Sequence, residues 1–279
     1  MEQIFLWLNE IPNGNKLKSD SFQIFDPIQK VTKITEVTNP SMVVFKPNLS
    51  VDNGIGIVVC PGGGYSILAI DLEGHEIAQW LTTLGYTAYV LQYRVPDNQK
   101  GALNDLQRAI KIIRSNATLC HTQLGIMGFS AGGNLCARAS ISPSKDSYSG
   151  IDVMDSISSR PDFALLIYPA YLDSGTNNTL SPDLFFDKNT PPFFIFGTTD
   201  DSHFNSTVII SQALKESNVS FELHTFQEGG HGYGLRQGNK AAETWPILAA
   251  TWLNKIKTPN PSCSHTRSEE HTSELQSHL

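Results

Sequence analysis

The chain has 279 residues, of which 40% are hydrophobic, 17% charged and 9% aromatic, with a formal net charge of −7. That balance suits a globular domain with its own core and excludes disordered and collagen-like chains. Without a basic stripe no nucleic-acid partner is expected, and without a run of about 18 apolar residues no membrane-spanning helix is expected.

Residues 1–10 carry no basic segment and only a short apolar run, Ile4-Phe5-Leu6-Trp7-Leu8, so they do not read as a signal peptide. The expectation is a cytoplasmic protein as the sequence stands, or an exported one if the start is a truncated gene. Strands are predicted at 31–37 and 42–46. The turn between them, Thr38-Asn39-Pro40-Ser41, is too short for a parallel crossover and predicts an antiparallel pair. Further strands follow at 55–60, 86–92, 123–129, 163–168, 192–197 and 221–226. Several are near-continuous apolar runs, such as Ile57-Val58-Val59-Cys60 and Ala164-Leu165-Leu166-Ile167. Runs of this kind are buried on both faces of parallel sheets. Between them lie helical periods. Residues 76–84 place Ile77, Trp80, Leu81 and Leu84 on one face and stop at Gly85. Helices are also predicted at 102–115, 131–141, 207–217 and 241–256.

This alternation predicts an α/β fold: a three-layer α/β/α sandwich around a mostly parallel sheet of about eight strands with an antiparallel second strand. One domain is expected over residues 1–258, with a disordered tail over 259–279. Within that tail, residues 267–277 look like the translation of a sequencing-library adapter rather than part of the folded protein. Cys60, Cys120, Cys136 and Cys263 are scattered without CxxC pairing, so neither a disulfide framework nor a zinc site is expected.

The first motif with chemical content is Gly128-Phe129-Ser130-Ala131-Gly132. It stands where a predicted strand runs into a predicted helix, the context a nucleophile elbow requires. The small flanking residues allow a sharp turn with the Ser130 hydroxyl exposed. The Ala131 N–H, at a helix start, can face a developing oxyanion. A second motif, Pro61-Gly62-Gly63-Gly64-Tyr65, follows the strand ending at Cys60 and frees backbone donors for a ligand. It contains neither a GKS/GKT phosphate loop nor G-x-G-x-x-G.

A serine hydroxyl needs a base to activate it, and the base needs an orienting carboxylate. Behind a serine elbow the chain order is Ser, then Asp or Glu, then His. Upstream of the tail, only His203, His224 and His231 follow Ser130. His224 falls inside a predicted strand. His203 shares one short loop with the candidate acids, leaving no room for an acid before it. His231 lies in Glu228-Gly229-Gly230-His231-Gly232, a loop after the last strand, at the edge where open α/β sheets bind ligands. For the acid, Asp201 is favoured and Asp200 stays open, both in Thr199-Asp200-Asp201-Ser202-His203-Phe204. Asp162 precedes its strand and reads as structural.

Taken together, these stretches resemble the α/β-hydrolase superfamily, and within it the bacterial carbohydrate-esterase branch of acetylxylan-esterase-like and feruloyl-esterase-like enzymes. The matching residues also include Glu73-Gly74, Gln92-Tyr93-Arg94-Val95-Pro96, Arg160-Pro161-Asp162-Phe163 and Gly229-Gly230-His231-Gly232-Tyr233-Gly234. The resemblance implies Ser130 as nucleophile, His231 as base and Asp201 as acid, with the N–H groups of Gly63, Gly64 and Ala131 as oxyanion hole. Pro61 departs from the lipase pattern, which has His there. The implied reaction is two-step acyl transfer without metal or organic cofactor. The partner would be a small-molecule or carbohydrate ester, with no nucleic acid and no membrane.

Between the strands at 163–168 and 192–197 the chain offers no long apolar segment for a lipase-like lid. The expected substrate is therefore a short acyl group, such as acetyl, on a plant carbohydrate. Three alternatives are a serine peptidase of prolyl-oligopeptidase type, for which no propeller domain is found, a lipase, and a non-catalytic binding protein of the same fold.

Overall fold

The structure, a computed structural model, describes residues 2–14, 17–119, 121–141 and 147–257. The tail and adapter expectations, with Cys120 and Cys263, lie outside the described residues. An eight-stranded sheet forms the centre, in the order β1 (Glu2–Phe5), β4 (Ser41–Phe45), β7 (Thr87–Gln92), β5 (Ile55–Cys60), β8 (Gln123–Phe129), β9 (Phe163–Ile167), β10 (Phe193–Thr198), β11 (Phe221–Phe226). From β7 to β11 every pairing is parallel. β4 alone runs against both of its neighbours. Every residue of β5, β9 and β10 is buried, which is why these strands read as unbroken apolar runs.

One expectation is corrected. The strand predicted at 31–37 does not pair with 42–46. It is β3 (Val31–Thr35), the middle of a separate three-stranded sheet between β2 (Phe22–Asp26) and β6 (Leu68–Ala69). The turn-length rule assumes that consecutive strands pair, but here the turn carries the chain from the small sheet to the large one. The antiparallel partner of β4 on that side is β1, whose mostly exposed residues give no strand pattern in the sequence.

Among the described residues, five α-helices cover the sheet: α1 (Glu76–Thr83), α2 (Gln99–Ser115), α3 (Ala131–Ser140), α4 (Phe204–Glu216) and α5 (Lys240–Ile256). α1 ends where predicted, because Gly85 takes φ +87 and a Cβ there would stand 2.0 Å from the Val51 carbonyl oxygen. Trp245 of α5 packs edge-on against Trp80 of α1 and Phe129 of β8. Cys60 and Cys136 are buried free thiols. Among the described residues, no helix is long and apolar enough to cross a membrane, and no cluster of three His, Cys, Asp or Glu could hold a metal.

Candidate active site

In a parallel sheet all strand ends of one kind share a rim. Here the segments that leave β5, β8, β10 and β11 at their carboxyl ends carry the Gly62–Gly64 turn, Ser130, Asp201 and His231. Ser130 joins β8 to α3 with φ 51 and ψ −117, a left-handed strain that a turn this sharp imposes on a non-glycine residue. Packing dictates the flanking glycines. A Cβ on Gly128 would lie 2.1 Å from the Gly132 carbonyl oxygen, and one on Gly132 would lie 2.0 Å from that of Cys60.

The Ser130 Oγ stands 2.7 Å from His231 Nε2, and His231 Nδ1 stands 2.7 Å from Asp201 Oδ2. A carboxylate only accepts, so the Nδ1–H donates to Asp201 and leaves Nε2 free to accept the serine hydroxyl. The second Asp201 oxygen accepts the His203 N–H at 2.8 Å, which restrains the carboxylate. Asp201 is buried. The neighbouring Asp200 has another task. Its oxygens accept the N–H groups of Gly229 (3.1 Å) and Gly230 (2.9 Å), and these bonds hold its carboxyl below the usual range. Thr198 Oγ1 donates to the Gly230 carbonyl, and Asn239 Nδ2 to that of Gly229. Three side chains thus clamp the two residues that precede His231. Asp162 lies at the opposite end of the sheet, accepting from the Leu124 N–H and from Arg114.

Gly63, Gly64, Ser130 and His231 line one cavity of about 640 Å³. Among the described residues, no hydrogen bond takes up the N–H of Gly63, Gly64 or Ala131, so all three donors remain open. The small sheet supplies an apolar wall through Val31 and Ala69, extended by Ile67 and Leu72. His203 also lines the cavity, its ring 4.9 Å from that of His231. Two contributors had no assigned role in the sequence reading: Tyr168, edge-on to the His231 ring at 5.1 Å, and the buried Glu73. Glu73 stood within a matching stretch, but neither periodicity nor spacing marks a single acid in a loop.

Comparison with known proteins adds the following. A family model described as the prolyl oligopeptidase family matches residues 94–256. An acetylxylan esterase of Xylanibacter ruminicola is 27% identical over 247 residues, covering 78% of this chain and 48% of that protein. An endo-1,4-beta-xylanase B of Butyrivibrio fibrisolvens is 31% identical over 204 residues, 63% of this chain and 32% of that protein. The chain therefore spans about half the length of the first relative and a third of the second. Among solved structures, an acetyl ester-xyloside bifunctional hydrolase from Caldicellulosiruptor lactoaceticus superposes with TM-score 0.70 at 28% identity. That match covers 91% of this chain and 96% of the other.

Proposed function

The chain belongs to the prolyl oligopeptidase family of α/β-hydrolases, and from that premise we propose that it is a serine carboxylic-ester hydrolase removing short acyl groups, acetyl above all, from plant carbohydrates. One observation carries the reading: the unbroken contact from Asp201 through His231 to a strained Ser130 that faces a cavity.

In this mechanism His231 Nε2 takes the Ser130 proton as Oγ attacks the ester carbonyl. Asp201 holds the imidazole in the required tautomer and stabilises the cation that forms. The open N–H groups of Gly63, Gly64 and Ala131 receive the oxyanion, each worth about 10²–10³ in rate at comparable sites. The imidazolium then protonates the departing alcohol, leaving an acyl-enzyme. Water, deprotonated by His231, attacks that ester and releases the acid and Ser130.

The acetylxylan esterase and the acetyl ester-xyloside hydrolase support an acetylated sugar as substrate. So does the stretch between β9 and β10, whose only helical segment is the single turn Thr176–Asn178, too little to form an apolar lid. The family itself favours a second reading, cleavage of prolyl peptide bonds.

The experiment has two arms. A fluorophosphonate should label the protein, and Ser130→Ala should abolish both labelling and turnover, a loss of about 10⁴-fold or more. A substrate panel should then rank acetylated xylan and acetyl nitrophenyl ester above longer chains and above prolyl amides. A preference for chains of eight carbons or more, or for the amides, replaces the reading.

A further inference from the structure

Glu73 is 3% exposed, and among the described residues no lysine or arginine pairs with it. A lone carboxyl in such a place costs stability, so it persists only where its bonds do something else. It sits in a wide helical turn, Asp71–His75, where the His75 N–H reaches the Ile70 carbonyl at 2.8 Å. Turns of this i→i+5 kind gather at functional sites. One Glu73 oxygen accepts the Gly62 N–H at 2.7 Å, and the other accepts the Tyr168 hydroxyl at 2.8 Å. The Tyr168 oxygen in turn accepts the Gly234 N–H at 3.0 Å, three residues past His231. Tyr168 itself holds φ 39, a strained value for a non-glycine residue, and lays its ring against that of His231. The same carboxyl reaches the nucleophile's surroundings: a Cβ on Gly62 would fall 2.7 Å from Glu73 Oε2 and 2.7 Å from Ser130 Cβ. Burial pushes the Glu73 carboxyl up, against the Tyr168 and Gly62 hydrogen bonds.

We propose that Glu73 is a positioning residue: through Gly62 and Tyr168 it locks the loop that offers the oxyanion donors to the loop that carries His231. The inference rests on the serine-esterase reading and extends it. Glu73 touches no reacting atom. It fixes the distance between the two halves of the machinery, so its loss lowers the rate of attack by Ser130 without loosening the binding of the substrate.

Glu73→Gln keeps the shape but turns one acceptor into a donor, which faces either the Gly62 N–H or the Tyr168 hydroxyl. The test is the phosphonylation of Ser130 by a fluorophosphonate, resolved into a saturating rate and a half-saturation concentration, with thermal unfolding measured alongside. The expected result is a saturating rate lower by about tenfold to a hundredfold, as for small displacements of catalytic groups, with half-saturation unchanged. Tyr168→Phe should give a similar fall, and the double variant should fall much less than the product of the two. Should Glu73→Gln fail to fold, Tyr168→Phe decides alone. A folded variant that reacts at the parent rate, or one whose half-saturation rises instead, overturns the inference. A parent protein that the probe does not label at all overturns the esterase reading instead, and this inference with it.

Discussion

Two adjacent carboxylates, Asp200 and Asp201, do different work because consecutive residues in a tight turn point different ways. Asp201 bonds the His231 ring, while Asp200 bonds the backbone that presents it. Asp201→Asn should therefore cost about 10⁴-fold in kcat, since an amide can hold the imidazole in the wrong tautomer. Asp200→Asn keeps one acceptor for the Gly229–Gly230 amides and should cost roughly tenfold or less. Steady-state kinetics of the pair checks this, and a large loss confined to Asp200→Asn would reverse the assignment. Gly62 is a second case in which one atom decides. A Cβ there would stand 2.6 Å from the Phe129 carbonyl oxygen as well as against Glu73 and Ser130. Neither the Phe129 carbonyl nor the Ser130 Cβ can retreat without moving the elbow. Gly62→Ala should keep its far-ultraviolet circular dichroism yet lose at least about tenfold in turnover, on the same grounds of displaced geometry.

At the scale of elements, α5 and the His231 loop share a fastening. Asn239 caps α5 by accepting from Ala241 N–H at 2.9 Å, and its amide nitrogen donates to the Gly229 carbonyl at 2.7 Å. Removing a cap of this kind costs about 1 kcal/mol, which for a domain of this size is roughly 2–4 °C in Tm. Asn239→Ala should show that loss by calorimetry together with slower turnover; unchanged turnover would mean that the loop holds without its fastening. Element boundaries near the site were legible in the sequence because burial leaves a pattern. The predicted strands at 55–60, 123–129 and 221–226 coincide with β5, β8 and β11, and the helix ends either coincide or shift by at most three residues. The serine elbow and the His231 loop were legible for a related reason, since strained turns demand glycine at particular places. What left no trace was exposed or irregular. β1 and β2 leave most of their apolar residues open to solvent, including Phe22 at 60% and Phe25 at 58% exposure, so neither displays an alternation. The wide turn that places Glu73 has no residue signature at all. The pairing of β3 was misread because strand adjacency in sequence stood in for adjacency in space.

Across the whole molecule, buried polar chemistry is not confined to the carboxyl rim of the sheet. Arg94 and Asp105 form a buried ion pair that also takes the Trp7 indole N–H. A further ionic cluster lies on α2, where Arg108 and Lys111 are almost fully buried on a helix face that a hydropathy pattern assigns to water. Arg108 bonds Asp152 and reaches Asp155 at 3.1 Å; Lys111 and the Tyr148 hydroxyl also turn to Asp155. The Arg108 guanidinium lies 5.2 Å from the Trp7 ring centroid, so the cluster also ties the start of the chain to α2. Burial pushes the Asp155 carboxyl up, but the Ile151 N–H, the Tyr148 hydroxyl and the two cations outweigh it and hold the value at about 2. A folded-state value below the unfolded 3.8 means that the unfolded chain takes up the proton first as acid is added. The stabilisation is complete above about pH 4 and disappears as the pH falls through about 2. Buried Glu73 and Asp105 act in the opposite sense. Burial raises both, so their protonation is favoured in the folded chain and offsets part of the acid loss. Asp155→Asn should therefore melt several degrees below the parent at pH 7, because two buried cations lose their shared partner. That gap should close between pH 4 and pH 2 as the parent's own Asp155 is protonated. A gap that stays constant down to pH 2 would assign the stabilisation to packing around residue 155 rather than to its charge.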